Sequence, residues 1–330
     1  MSLRKRNIQP VLGHSIEDLV DPEHEYRRLL AVVPFEVLCA PLKDKYSDLG
    51  RGGYPVASMF KALVIQWMED LSYRELERNL KENLASKLFC GFQLTDTTPD
   101  YSTLCEFSLR VGTQGLSKLF RDVRDSLKSA GLVREVFTFI DSTHIIAKSN
   151  LWREKDRLLE AGKGKLGNLN VSSVAVDPAA RFGRKGNTKW YGYKTHVGID
   201  MTHGFVTRTA VTPANVEDTK AARHVMPKGG MVFGDKAYGV GESAYAMRRL
   251  GLHSGAILKN DMKAKNQDKD NWLCSVRMPY EGYFSKIQKR ARYRGIPRNQ
   301  FQALMEGLVH NLKLLVRIGA PPLIFGPKYA

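Results

Sequence analysis

The feature that most constrains this chain is a short apolar run that stops on an acid, and it occurs twice. Val136–Ile140 is β-branched and aromatic and gives way to Asp141, Ser142 and Thr143; Met231–Gly234 gives way to Asp235 and Lys236. Runs of this length and composition predict buried strands. A carboxylate at the end of a central strand is held by the sheet and faces ligands beyond its edge. A third acid, Glu281, opens a segment that reads as a basic helix, Glu281–Tyr293. Singly, an Asp after a strand reads more readily as a turn or helix cap. Together, three carboxylates repel one another, and a cation placed between them relieves the repulsion.

The overall charge says what such a site would meet. The chain has 330 residues, with 51 Lys+Arg against 34 Asp+Glu, a net charge of +17. A protein this basic implies a polyanion partner, with nucleic acid the commonest and an anionic membrane surface the rival. No apolar run approaches the roughly 20 residues that a bilayer requires, and no signal-peptide core is legible at the start. The expected location is therefore cytoplasmic, with the nucleoid, and no membrane partner is expected. Cys39, Cys90, Cys105 and Cys274 lie far apart, without zinc spacing, so any metal should have oxygen ligands. Mg²⁺ or Mn²⁺, in two copies, suits such a set and supports in-line phosphodiester displacement.

Taken in order, residues 1–54 read as an N-terminal arm with short helices, one of them Ser15–Leu30. Residues 55–130 read as a helical, helix-turn-helix-like DNA-binding domain. Pro55 suits a first helical position before Met59, Leu63, Val64, Trp67 and Met68, and Ser72-Tyr73-Arg74-Glu75 is a capping box. Further helices are expected from Asp100 and over Gly115–Ala130. The apolar content here exceeds what so small a bundle readily buries, so this region is the expected bridge between copies.

Residues 132–318 change to an α/β pattern, with 319–330 a tail. Strands are expected at Val136–Ile140, Tyr193–Ile199, Phe205–Ala210, Val232–Gly234 and His253–Ile257, and helices at Ala214–Met226, Glu242–Leu250, Glu281–Tyr293 and Phe301–Arg317. Three antiparallel strands followed by strand–helix–strand crossovers describe a ribonuclease-H-like mixed sheet flanked by helices. Between the first two strands runs a basic excursion, 148–189, read as a long functional loop that orders on phosphates. Its Lys163, Lys165, Arg184 and Lys185 are candidate DNA contacts. Trp190 and Tyr191 at its end either stack on a splayed base or cover the sheet. Lys194 and Lys236 are phosphate candidates because each neighbours an acid-bearing strand end. Lys286, Lys289 and Arg290 form a basic face beside Glu281. His196 suits a core role and a site role about equally.

Several blocks carry a resemblance: Phe139-Ile140-Asp141-Ser142-Thr143, Trp190-Tyr191-Gly192-Tyr193-Lys194-Thr195-His196, Thr212-Pro213-Ala214-Asn215-Val216-Glu217-Asp218 and Gly234-Asp235-Lys236-Ala237-Tyr238-Gly239. In this order they resemble bacterial insertion-sequence DDE transposases, in particular the group founded on insertion sequence five. The resemblance covers nearly the whole chain and implies that Asp141, Asp235 and Glu281 are the catalytic, metal-binding triad. In the family the Glu sits in a Y-x₂-R-x₃-E-x₆-K signature. Arg277 is in register with Glu281 and is a further expected DNA contact, while Cys274 and Gln288 stand at the tyrosine and lysine positions. Gly282 stands where the group has an arginine. The implied function is cleavage of element ends and joining of the 3′-hydroxyls to target DNA. A nuclease on the same fold, or a catalytically silent DNA-binding derivative, is the alternative. The implied partners are the terminal inverted repeats and target DNA, met by a homodimer or higher oligomer.

Overall fold

The computed structural model describes residues 15–45, 53–149, 151–162, 164–258 and 266–325. The chain divides into two compact units, 1–110 and 111–330.

The first unit is helical: α1 (Ile16–Leu19), α2 (Glu25–Val32), α3 (Phe35–Leu38), α4 (Val56–Met68), α5 (Tyr73–Glu82), α6 (Leu84–Cys90) and the start of α7 (Tyr101–Ser129). The helix expected over Ser15–Leu30 is two, because Pro22 removes a donor after Val20 leaves helical geometry. α4 is buried from Ala57 to Met68, so it is the central rod of the bundle rather than an amphipathic surface helix. The capping box at Ser72 is present, with Glu75 N donating to the Ser72 hydroxyl and Ser72 N to the Glu75 carboxylate. Asn83 ends α5 and caps α6, its side chain accepting from Ser86 N at 3.0 Å. Met59, Phe60, Leu63, Val64, Trp67 and Met68 are all buried within this chain. That corrects the expectation of surplus apolar surface and removes the sequence argument for placing an inter-copy bridge here. Two helices expected from Asp100 onward are joined as α7, whose helical path is interrupted at Gly112 (φ 60°).

Among the described residues, the second unit is built on six strands: β1 (Phe137–Ile146), β2 (Arg181–Lys185), β3 (Thr188–Asp200), β4 (Val206–Pro213), β5 (Met231–Gly234) and β6 (His253–Ala256). β3 pairs antiparallel with β1, β2 and β4, while β1–β5 and β5–β6 are parallel. Helices α8 (Leu151–Glu160), α9 (Asp218–Ala221), α10 (Gly241–Arg249), α11 (Gln267–Lys286) and α12 (Ile296–Arg317) complete the unit. This is the mixed, helix-flanked, ribonuclease-H-like sheet expected from element order.

Four local expectations change. β1 continues through Asp141 to Ile146, because β3 supplies partners from Val197 to Gly192 after β5 has ended. The excursion 148–189 is not an open loop: it holds α8, a 3₁₀ turn at Val171–Ser173 and β2, and buries Leu158 and Val171. The helix expected over Ala214–Met226 contracts to α9 and a 3₁₀ turn at Ala222–His224. Glu281 lies deep in α11 rather than at a helix start.

α12 seals the free margin of β4. Asn311 accepts from Val206 N and donates to Val206 O, both at 2.8 Å; Gln300 accepts from Val211 N at 2.8 Å and donates to Thr209 O at 3.1 Å. Side-chain amides thus stand in for a neighbouring strand and satisfy the edge.

Candidate active site

The register of β1 against β5 decides how the two aspartates meet. The pairing runs Phe137↔Met231, Thr138↔Val232 and Phe139↔Phe233, then stops. Asp141 and Asp235 each lie two residues beyond the last pair. Side chains alternate with period two, so both carboxylates stand level and on the face that Phe139 and Phe233 occupy. Burial raises the Asp141 carboxyl to about 6; the neighbouring Asp235 charge adds to the rise, while Ser142 N–H, Lys185 and Arg277 oppose it. Ser142 N donates to Asp141 Oδ1 at 2.7 Å, and Ala237 N donates to Asp235 Oδ1 at 2.9 Å. Each carboxylate is therefore aimed by its own following backbone. Gly234 is needed beside them, since a Cβ there would lie 2.7 Å from the Tyr238 ring.

α11 brings Glu281 and Arg277 to the same face. Phe139 packs against Tyr280 and Phe284, with the Arg277 guanidinium 5.5 Å from the Phe139 ring centroid. Arg277 is buried and donates to Glu281 Oε1 at 3.2 Å; the Glu281 side chain is 51% exposed. Lys289 also reaches this face, with Nζ 2.9 Å from Thr143 Oγ1 and 2.7 Å from Phe284 O. Arg290 is tied in by backbone, since Ile146 N donates to Lys289 O and Ala291 N to Ile146 O. Lys185, at the end of β2, acts electrostatically on both Asp141 and His144. Lys236 is exposed beside Asp235.

Other expected residues go elsewhere. Lys194 is level with His144, on the face opposite Asp141, and is bonded to Asp218 Oδ1 and Val216 O, each at 3.0 Å. Its charge is used inside the fold, which corrects its reading as a phosphate contact. His196 is fully buried there, its Nε2 2.9 Å from Thr212 Oγ1; burial pushes its pKa down to about 4 against the pull of Asp218. The neutral core role prevails. Trp190 is 7% exposed and stacks near His144, and Tyr191 is buried, so both cover the sheet. Arg184 is exposed on β2, bonded to Gly186 O, and Lys165 lies beside Trp152 of α8. Lys286 faces a separate cavity. Lys163 lies outside the described residues.

Sequence reasoning passed over Tyr238 and Asp218. Tyr238 packs under the acids with Ile140 and Met247; burial, then the charges of Asp141, Asp218 and Asp235, push its hydroxyl pKa well up. The spacing Asp235-x-x-Tyr238 was the available signal, since a strand-end turn returns the fourth residue onto the sheet.

Two family comparisons bear on this arrangement. Residues 14–110 match the family described as Transposase domain (DUF772), and residues 134–312 match Transposase DDE domain. The chain belongs to the DDE transposase family. No solved structure matches it. The transposase match spans β1 through most of α12 and so includes all three acids. The protein is a DNA-processing enzyme whose family depends on divalent metal. Its acid pair fits that dependence: two hard oxygen ligands are held side by side at a repulsion that a cation would relieve. Glu281 is paired with Arg277, and among the described residues no group of three His, Cys, Asp or Glu is gathered closely enough to hold a metal. No helix among the described residues is long and apolar enough to cross a membrane.

Proposed function

We propose that this transposase cuts the ends of its element and joins the freed 3′-hydroxyls to target DNA, with Asp141, Asp235 and Glu281 holding two Mg²⁺ or Mn²⁺ ions. The observation that carries the reading is the level placement of Asp141 and Asp235 beyond a shared parallel register, with the Asp141 carboxyl raised to about 6. When bound, such ions lower the pKa of an attacking water or 3′-hydroxyl and stabilise the departing oxygen.

The chain's own residues do the rest. Ser142 and Ala237 N–H groups fix the two aspartates so that neither reorients when charge changes nearby. Arg277 stores Glu281 as an ion pair and donates positive charge to the acid face; release of that pair makes the third carboxylate available. Lys185, Lys236, Lys289 and Arg290 supply a basic rim for phosphates. Because phosphate contacts position DNA without reading it, sequence-specific recognition of the ends falls to the helical residues 1–130. Two ends must be processed together, so a dimer or larger assembly forms on DNA.

The test is a strand-transfer assay with labelled terminal DNA and Mg²⁺. Joined products in the wild type, and none with Asp141→Asn or Asp235→Asn proteins that still bind DNA, are expected. Cleavage without joining would make the protein a nuclease on the same fold. Wild-type rates in either variant would remove the acid pair from the chemistry.

A further inference from the structure

On the acid-bearing face, toward the turn between β3 and β4, α11 and α12 enclose a cavity of about 390 Å³. Its charged lining is entirely basic or imidazole: His203, Lys286, His310 and Arg317, with Tyr280 and Tyr283 as aromatic walls. No carboxylate lines it. Neither Lys286 nor Arg317 has an ion-pair partner among the described residues, whereas Lys194 is paired with Asp218 and Arg208 with Glu135. Both nevertheless act on one point. Burial depresses the basicity of His310, the Gly204 carbonyl opposes that, and the Lys286 and Arg317 charges depress it further, which places both near the imidazole. His310 itself is fixed: Nε2 donates to Gly204 O at 2.9 Å and its ring meets Tyr283 edge-on at 4.9 Å. Tyr280 donates its hydroxyl to Met201 O, pinning the turn to α11.

Two unpaired cations converging on a preorganised, acid-free cavity repel one another, and an anion between them removes that cost. Lys and Arg together are the usual means of gripping phosphate, and aromatic walls suit an attached sugar or base. We infer that this cavity is a phosphate-binding site that seats one nucleotide unit, separate from the acid pair. The inference stands whether or not Asp141 and Asp235 carry the chemistry.

The probe is inorganic pyrophosphate, titrated calorimetrically into the full-length protein without metal. Wild type and Asp141→Asn should bind alike. The Lys286→Gln/Arg317→Gln double variant should bind at least about tenfold more weakly. Gly282 gives a second route: it lines the cavity on an exposed turn of α11, and a Cβ there meets nothing within 4 Å. Gly282→Glu, which adds a carboxylate at little structural cost, should also lose binding, while Gly282→Gln should keep it. No binding to the wild type, or equal binding by all variants, overturns the proposal. The source of the phosphate is read from DNA binding: if it is the backbone, the double variant lowers the log–log salt slope by about 0.9, the share of the one phosphate the cavity seats. An unchanged slope with pyrophosphate binding lost assigns the site to a free phosphorylated ligand instead.

Discussion

The aspartates and the glutamate of the acid face are held in opposite ways. Asp141 and Asp235 are positioned by strand register and by N–H groups one and two residues ahead of them. Glu281 sits half-exposed on α11, two residues after Pro279, which has no N–H for the helical ladder, and its carboxylate is paired with Arg277. A sheet fixes two like charges against each other at the expense of stability. A helix presents the third on a side chain that an ion pair can hold or release. In the proposed function, the pair defines the place of reaction and the glutamate its readiness.

The strongest way to break this comparison is to neutralise the pair. Asp141→Asn or Asp235→Asn should lower strand transfer by at least about 10³-fold, or about 4 kcal/mol of barrier, with DNA affinity kept. Glu281→Gln should cost less, about 10²-fold, because the pair still marks the site. Activity in Glu281→Gln, with loss on changing Glu242, would show the third ligand to be misassigned. Stability should move the other way. The Asp141 carboxyl is raised in the folded state, to about 6 from an unfolded value of about 3.9, so the fold binds the extra proton. The contribution of Asp141 to stability is therefore greatest below about pH 4, falls as pH rises to about 6, and is level above. At pH 7 Asp141→Asn should stabilise the metal-free protein by about 2 kcal/mol, or about 5 °C in Tm, and the gain should vanish near pH 4. Mg²⁺ should raise the Tm of the wild type but not that of the variant. Glu306 is a control: burial raises it to about 7 at a site bonded to Gln288 N and Gln302, so Glu306→Gln should stabilise without any dependence on Mg²⁺. The smallest effects belong to the rim. Lys185→Gln or Lys289→Gln should each lower the salt slope of DNA binding by about 0.9. Lys185→Gln should also lift the Asp141 titration further, which nuclear magnetic resonance would follow.

The two strand-end acids were legible in the sequence because the same apolar run ending on an acid occurs twice, whereas either one alone reads as a turn or cap. What surrounds them was less so. Asp141 to His144 were placed beyond the strand end at Ile140, since four polar residues hide a strand whose partners, Val197 to Lys194, lie far along the chain. β2 was missed because Arg181-Phe182-Gly183-Arg184-Lys185 is mostly charged; yet Gly186-Asn187 between it and β3 is a hairpin signal that charge obscured. α11 was misplaced because Pro279 and weak amphipathicity blur its period. Lys194 was misread for a different reason: position in a strand gives the face only once the register is known, and Asp218 is a partner no spacing announces. Likewise Trp152 of α8, 73% exposed, is the solvent-facing aromatic of the excursion in place of Trp190.

The amide seal along β4 bears on the assembly on DNA proposed above. Asn311 and Gln300 already occupy the peptide groups of Val206, Thr209 and Val211 that an incoming strand would need. Two molecules crowded together at paired element ends therefore cannot zip their sheets into one across that margin, however long they stay in contact. A contact made there would run through side chains rather than through shared main-chain hydrogen bonds.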